Sequence, residues 1–334
     1  MGVFVYLPLI LPLTALPMAR LAEQHLHPRT AARLLTAVAA ILAVCSTVCL
    51  GLLVVVGTAQ LPGNPLPDSW SDPEVREAVP YDEIAGTVSI GALALVLLAC
   101  AFTVHRHYRY RARAHRALAG LRTSSEVAVL TDDEPYAYAL PGGLGASGAS
   151  GASGASGASG RRRGRILVST GMMAALTDTE RHALLAHERA HLTGRHHRLL
   201  LAVQLAGCAN PLLRPLRRAV GYCTERWADE EAAQATGDRR ATARAVGKAA
   251  LLAVRPATGS TAFPGLAAFA EAGPVPRRVA ALLGPVPPAN GWPSALTSAG
   301  VAAIVAAAGT AASTLSALNA AVGLFVVLEA ASFG

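Results

Sequence analysis

The sequence predicts an α-helical multi-pass membrane protein with a small α+β domain inserted among its membrane segments, and three observations carry that prediction. Of 334 residues, 52% are hydrophobic and only 15% charged, with a positive mean hydropathy, a balance unlike that of ordinary soluble domains. The apolar residues gather in long blocks, as membrane spans require. Between the third block and the last, the pattern changes to short strand-like runs and polar helices, which need a core of their own.

The blocks come in order. Residues 3–18 are almost wholly apolar, lack a preceding basic region and are followed by Arg20, which suits a first span with an outside N-terminus better than a signal peptide, although three prolines interrupt it. Residues 34–56 form the clearest span, and 84–104 a third without charge. The loop after the first block carries Arg20, Arg29 and Arg33, whereas residues 60–82 are acidic and proline-rich. The positive-inside rule therefore places the first loop, and everything after Val104, in the cytoplasm. Residues 199–206 are apolar but short and are interrupted at Asn210-Pro211, so they are read as a helix packed under the polar unit. Residues 295–332 exceed the needs of one span. One crossing toward the C-terminal half is expected, with a hairpin of two short helices as the alternative. The resulting division is 1–104 for three transmembrane helices, 105–290 for a cytoplasmic domain and 291–334 for a C-terminal transmembrane segment.

The net charge of +8 sits in clusters that abut the apolar runs. Arg106, Arg109, Arg111, Arg113, Arg116 and Arg122 directly follow the third block, where a cytoplasmic stop signal belongs, so the basic character is assigned to the bilayer and no nucleic acid is expected as a partner. Cys45, Cys49 and Cys100 lie in apolar blocks and Cys208 and Cys223 outside them, with no C-x-x-C pair. All five read as small buried side chains rather than disulfides or thiolate ligands.

Within the polar unit, 126–130, 136–140 and 165–169 read as strands, and the Gly-Ala-Ser repeat at 142–160 as a disordered loop without catalytic role. Thr177 and Glu180 form a capping-box signature for a helix running to about Thr193, with Gly194 as its stop. That helix contains His187-Glu188-Arg189-Ala190-His191, an H-E-x-x-H motif. The i, i+4 spacing stacks both imidazoles on one face to bind one zinc, and Glu188 can act as general base and then carry the proton to the leaving amine. Zinc lowers the pKa of a bound water and polarises a scissile carbonyl. The bland alternative is two surface histidines on a polar helix, and the neighbours His182, His196 and His197 are read as surface or interfacial.

Two candidates exist for a third ligand. His187 to His197 also fits H-E-x-x-H-x-x-G-x-x-H, with His197 as ligand, but that pattern demands a later methionine turn, and the methionines are Met1, Met18, Met172 and Met173. The rival is Glu225, one helical turn before Asp229; Glu225 would complete a site with an open fourth position, and Asp229 would orient a ligand histidine from behind. Glu230 and Glu231 are alternatives, and any of these acids could simply face solvent.

The segments RILVSTGMMAAL, LLAHERAHLTGRHH, NPL, ERWADEEAA and RRVAALL together resemble the membrane zinc metallopeptidases that include the beta-lactam sensor-transducers of the BlaR and MecR type, relatives of the HtpX and CAAX prenyl endopeptidases with H-E-x-x-H followed by E-x-x-x-D. The resemblance covers roughly residues 126–283. It implies a zincin-type metallopeptidase domain with His187, His191 and Glu225 as ligands of one zinc, Glu188 as base and a cytoplasmic active site. Such proteins often cleave themselves or a cytosolic repressor, so regulatory proteolysis of a repressor-type substrate joins protein or peptide substrates and the lipid bilayer among the expected partners. In the sequence as read, to Gly334, no extracellular penicillin-binding sensor is expected after the last apolar segment, and antibiotic sensing is not carried over.

The overall expectation is an endopeptidase at the cytoplasmic face of the cell membrane, with strand 165–169 as the edge that pairs with substrate and an oxyanion stabiliser among Arg277, Arg278, Tyr222 and His196. A non-catalytic signalling protein that keeps the fold is the main rival, and the intact Glu188 argues against it. A structural or transport protein with a chance motif is the other; the clear spans lack the mid-membrane charges that transport uses.

Overall fold

The computed structural model describes residues 2–59, 82–117, 125–142, 164–253, 274–288 and 294–333. Most of the 60–82 loop and of the Gly-Ala-Ser repeat lies outside them. The chain is mostly helical, with one small sheet.

The first apolar block is not one continuous helix, and its prolines explain why: they lack the N–H that an α-helix interior needs. The chain runs as a 3-10 turn Gly2–Val5, one helical turn Leu7–Ile10, a second 3-10 turn Leu11–Thr14, then helix α1, Ala15–His25. Pro12 cannot donate to the Pro8 carbonyl, which instead accepts from Ser46 Oγ at 2.7 Å. Asn210 Nδ2 donates to the Leu9 carbonyl and to Ser46 Oγ, each at 3.0 Å, so the NPL segment that follows the catalytic helices is tied into the broken span.

Despite its breaks, this segment runs the length of helix α2, Pro28–Ala59. Val5 shares an apolar cluster with Cys49, Leu53 and Val56, and Met18 and Ala22 share another with Ala31, Ala32 and Leu35. Helix α3, Asp82–Ala117, crosses α2 at Gly57 and Gly86, where a Cβ on either glycine would lie 2.4 Å from the other's Cα. Only glycine permits that approach. Helix α10, Ser298–Phe333, is a single helix rather than a hairpin. Its Ala299 lies beside His25 and Leu34, and its Leu324 with Leu53 and Val56, so it runs parallel to α2. Residues Pro28–Ala59, Ala85–Arg116 and Ser298–Ala330 are long and apolar enough to cross a membrane.

The inserted unit is built on three strands in the order β1-β3-β2: β1 Val127–Leu130, β2 Ala137–Leu140 and β3 Arg165–Ser169. β1 runs parallel to β3 with Val127 opposite Ile166, and β2 antiparallel with Ala137 opposite Val168. Ile166, Leu167 and Val168 are fully buried, as a continuous apolar run in a central strand should be. This corrects the expected edge: β3 has both sides occupied, and among the described residues the edge beside helix 178–193 belongs to β2.

A turn of helix, α4 (Thr170–Ala175), leads to α5, Asp178–Thr193, which carries the H-E-x-x-H motif. The capping box forms as expected: the Glu180 carboxylate accepts from the Thr177 amide at 3.0 Å. It also takes Lys248 Nζ at 2.6 Å, which fixes helix α8, Arg239–Ala253, across the start of α5. Gly194 ends α5, but with an ordinary φ of −72°; the left-handed residue is Arg195, at φ 51°. Gly194 is required for another reason, since a Cβ there would meet His196 Nε2 at 2.4 Å. Helices α6 (His196–Ala209), α7 (Arg214–Thr236) and α9 (Val275–Leu283) complete the unit. Leu216, Val220, Cys223 and Trp227 of α7 join the α2 core, so the catalytic unit and membrane part share one apolar cluster.

Candidate metal centre and catalytic site

One turn of α5 separates His187 from His191 and brings their Nε2 atoms to 3.1 Å. Helix α7 delivers Glu225, with Oε2 3.6 Å from His187 Nε2 and Oε1 3.5 Å from His191 Nε2. Among the described residues these three form the group of donors able to hold one metal. The fit to zinc is geometric: bonds of about 2.0–2.1 Å in a tetrahedron have edges of about 3.3–3.4 Å, close to the three separations here. Two imidazole nitrogens at such a distance either share a proton or, with both deprotonated, can share a cation.

Each donor is held from behind. Asp229, fully buried one turn after Glu225, has Oδ1 3.1 Å from His187 Nδ1, an arrangement that directs the Nε2 lone pair toward the donor group. Arg278 of α9, also buried, grips Asp229 with both arms, Nε to Oδ2 at 2.8 Å and Nη2 to Oδ1 at 2.6 Å, and its Nη1 lies 2.9 Å from Glu225 Oε2. Behind His191 stands His196, only 1% exposed, with the two Nδ1 atoms 2.8 Å apart and its ring packed on Trp227 at 4.5 Å. Arg29 and Arg33, at the start of α2, also lie over that tryptophan.

The electrostatics follow from this packing. Burial favours the neutral form of Glu225, but His191, His187 and Arg278 outweigh it and hold the carboxyl well below the usual range. Asp229 is likewise held ionised against burial by Arg278 and His187. Burial keeps His191 neutral, its pKa pushed down to about 4, so its lone pair is available. Glu188 differs. Burial pushes it up to about 7, His187 partly opposes this, and the neighbouring Glu225 reinforces it. A carboxylate poised near neutral pH suits proton transfer in both directions. The backbone amide of Ala139 on β2 hydrogen-bonds it.

Glu188 stands where two cavities meet under the β2 edge, and Tyr138 of that strand faces both. One, of about 310 Å³, lies between β2, α5 and α8 and is walled by Met172, Leu184, Val246, Ala249 and Val275. The other, of about 200 Å³, opens toward α3.

The other residues singled out in the sequence lie elsewhere. His197 lines the α3-side cavity but is not part of the donor group. Glu230 pairs with Arg226 and Arg239, and Glu231 accepts from Trp227 Nε1 at 3.1 Å, so neither reaches the centre. His182 is exposed. His196 is buried, contrary to the surface reading. Of the four oxyanion candidates, Arg277 pairs with Glu23 at 2.6 Å and lies over Tyr222, directing both away from the cleft. Arg278 is committed to Asp229 and Glu225, and His196 to His191. Sequence reasoning missed the support given by Arg278 and His196 and the place of Tyr138. The Tyr136-Ala137-Tyr138 alternation, which puts two aromatic rings on one face of a strand, stacked at 5.6 Å, was the available signal for the last.

Residues 155–207 match the model of peptidase family M48. Over that stretch the chain is similar to the M48 metallopeptidases. Neither the curated proteins nor the solved structures compared with it contain a match. The matched stretch holds β3, α5 and most of α6, including His187, Glu188 and His191; Glu225, Asp229 and Arg278 lie beyond it. M48 peptidases are zinc-dependent, in agreement with the donor set. The match reaches the family level and does not distinguish BlaR-type from HtpX-type members.

Proposed function

We propose that this protein is an integral-membrane zinc endopeptidase that cuts peptide bonds at the cytoplasmic membrane face, with His187, His191 and Glu225 as ligands and Glu188 as catalytic base. The observation that carries the proposal is the convergence of the three donors beside the buried carboxylate of Glu188, in a cleft bordered by the β2 edge of the described sheet. A peptide bound in extended form along β2 gains main-chain hydrogen bonds, and the cavity walled by Leu184 and Val246 takes an apolar side chain. Zinc, when bound, would supply Lewis-acid polarisation of the scissile carbonyl and a lowered pKa for water. Glu188 accepts the proton of the attacking water and delivers it to the leaving nitrogen. Asp229 and His196 keep the two imidazoles aimed, and Arg278 locks Glu225 and Asp229 of α7.

Location follows from charge. Arg29 and Arg33 meet Trp227, and Arg111 of α3 binds the Gly142 carbonyl, so two basic clusters flank the catalytic unit on one side of the bundle. That is the side the positive-inside rule assigns to the cytoplasm. At 36 residues, α3 is about 54 Å long and outruns a hydrocarbon core of about 30 Å, so its basic end reaches the active site. A regulatory substrate of the repressor type suits this position.

The test is hydrolysis by zinc-loaded full-length protein in detergent, compared with Glu188→Gln. Loss of about 10²–10⁴ in kcat with zinc retained is expected. Equal activity of the two proteins would remove Glu188 from the mechanism, and full cellular function of a zinc-bound Glu188→Gln protein would favour a binding role.

A further inference from the structure

The α3-side cavity differs in chemistry from the apolar one. Near Glu188 it shares Ala137, Tyr138 and His187 with it, but its far wall is made of His107, Tyr110 and Arg111 from α3 and His197 from α6. Among the described residues Glu188 and Glu225 are its only carboxylates, and both already serve the reacting centre. Arg111 is half-buried and donates to the Gly142 carbonyl, a neutral acceptor; among the described residues no carboxylate pairs with it. A second cation, Arg198, lies close enough to repel it. His197 Nδ1 is buried without a hydrogen-bond partner, and burial together with Arg111 and Arg198 keeps that imidazole neutral, at about 4. A guanidinium withdrawn from water beside another cation is poorly compensated, and its planar fork matches a carboxylate.

We propose that this cavity receives an acidic side chain of the bound peptide, an Asp or Glu within about two residues of the scissile bond, with its carboxylate held by Arg111. The inference rests on the peptidase reading above. The cavity is continuous with the reacting centre, and at about 3.3 Å per residue an extended peptide on β2 reaches it within that span. The favoured substrate then carries an apolar residue for one cavity and an acidic one for the other.

The test uses full-length zinc-loaded protein in detergent and a set of quenched fluorescent peptides in which each of the two positions on either side of the cleavage point is Glu, Gln or Lys. At one position, kcat/KM should favour Glu over Gln at least tenfold, carried mainly by KM. Arg111→Gln should bring the ratio near one, Arg111→Lys should retain part of it, and Arg111→Glu should favour the Lys peptide. Equal use of Glu, Gln and Lys by the wild type would overturn the proposal. So would Arg111 variants that lower all peptides by one common factor, the signature of a scaffold role. If Arg111→Gln instead weakens binding to phosphatidylglycerol vesicles while leaving the peptide ratio intact, the site serves a lipid headgroup and the proposal is wrong. Fluorescence anisotropy of the same peptides on Glu188→Gln protein separates this inference from the parent reading: Arg111-dependent binding of the Glu peptide without turnover by wild type sinks the peptidase and keeps the acidic subsite.

Discussion

The spacing of His187 and His191 was visible in the sequence because a helix converts four residues of separation into one face, but the residues that aim them were not. Asp229 stands out in the sequence by its place one turn after Glu225, and the structure puts its Oδ1 3.1 Å from His187 Nδ1. Arg278 arrives from a separate helix 49 residues later, and nothing local to RRVAALL shows that its guanidinium closes on Asp229 and Glu225. His196 was misread for a related reason: a histidine just after a helix stop is ordinarily wet, and only the tertiary placement of Trp227 buries it. The backing of His187 leads to a prediction. Asp229→Asn should weaken zinc binding by about 10–100-fold, the range seen when such outer partners are lost, measured by competition with a chelator. Unchanged affinity would mean that the Asp229 contact plays no part in orienting His187. Gly194→Ala should act on the other ligand, since the added methyl occupies the space of the His196 ring and must displace it from His191.

At the scale of elements, α5 was legible almost to the residue, because its capping box, apolar spacing and glycine stop agree. The sheet was legible as three strands but not as an order. Apolar content marked β3 as strand, yet whether it lies at the edge or in the centre depends on pairings that no single strand encodes, and among the described strands the edge nearest α5 is β2. The start of α5 also carries a pH dependence. Burial raises the pKa of Glu180, but Lys248 and the Thr177 amide and hydroxyl more than offset this, so the folded value lies below the usual 4.5. A depressed carboxyl stabilises the fold above its unfolded pKa and loses that contribution as pH falls through the folded value. The thermal midpoint of the wild type should therefore fall more steeply below about pH 4.5 than that of Glu180→Gln, which should already be lower at neutral pH by the equivalent of about 1–3 kcal/mol. Parallel melting curves for the two proteins across acid pH would show that the Lys248 contact contributes nothing.

For the whole molecule, composition implied long apolar helices, and three of the described helices are long and apolar enough to cross a membrane. The broken form of the first block could be suspected from its prolines, but not its repair by Ser46 and Asn210, which come from distant parts of the chain. Among the described residues Val5 lies level with Val56 and α10 runs parallel to α2; if the first segment crosses with the three long helices, the proposed topology predicts Gly334 outside the cell. A reporter active only in the cytoplasm, fused at Gly334, should be silent, and its partner active only outside should report; the reverse would place the end of α10 on the catalytic side.

The identity of the third ligand is the point on which the account turns, since it separates a centre built by α5 and α7 from one built by α5 and α6. Zinc content of purified wild type, His187→Ala, His191→Ala, Glu225→Ala, His197→Ala and Glu188→Gln tests it directly. One zinc per chain is expected in the wild type, His197→Ala and Glu188→Gln proteins, with loss in the other three. Zinc lost with His197 and kept with Glu225 would contradict the assigned centre, and no zinc in the wild type would contradict a zinc enzyme altogether.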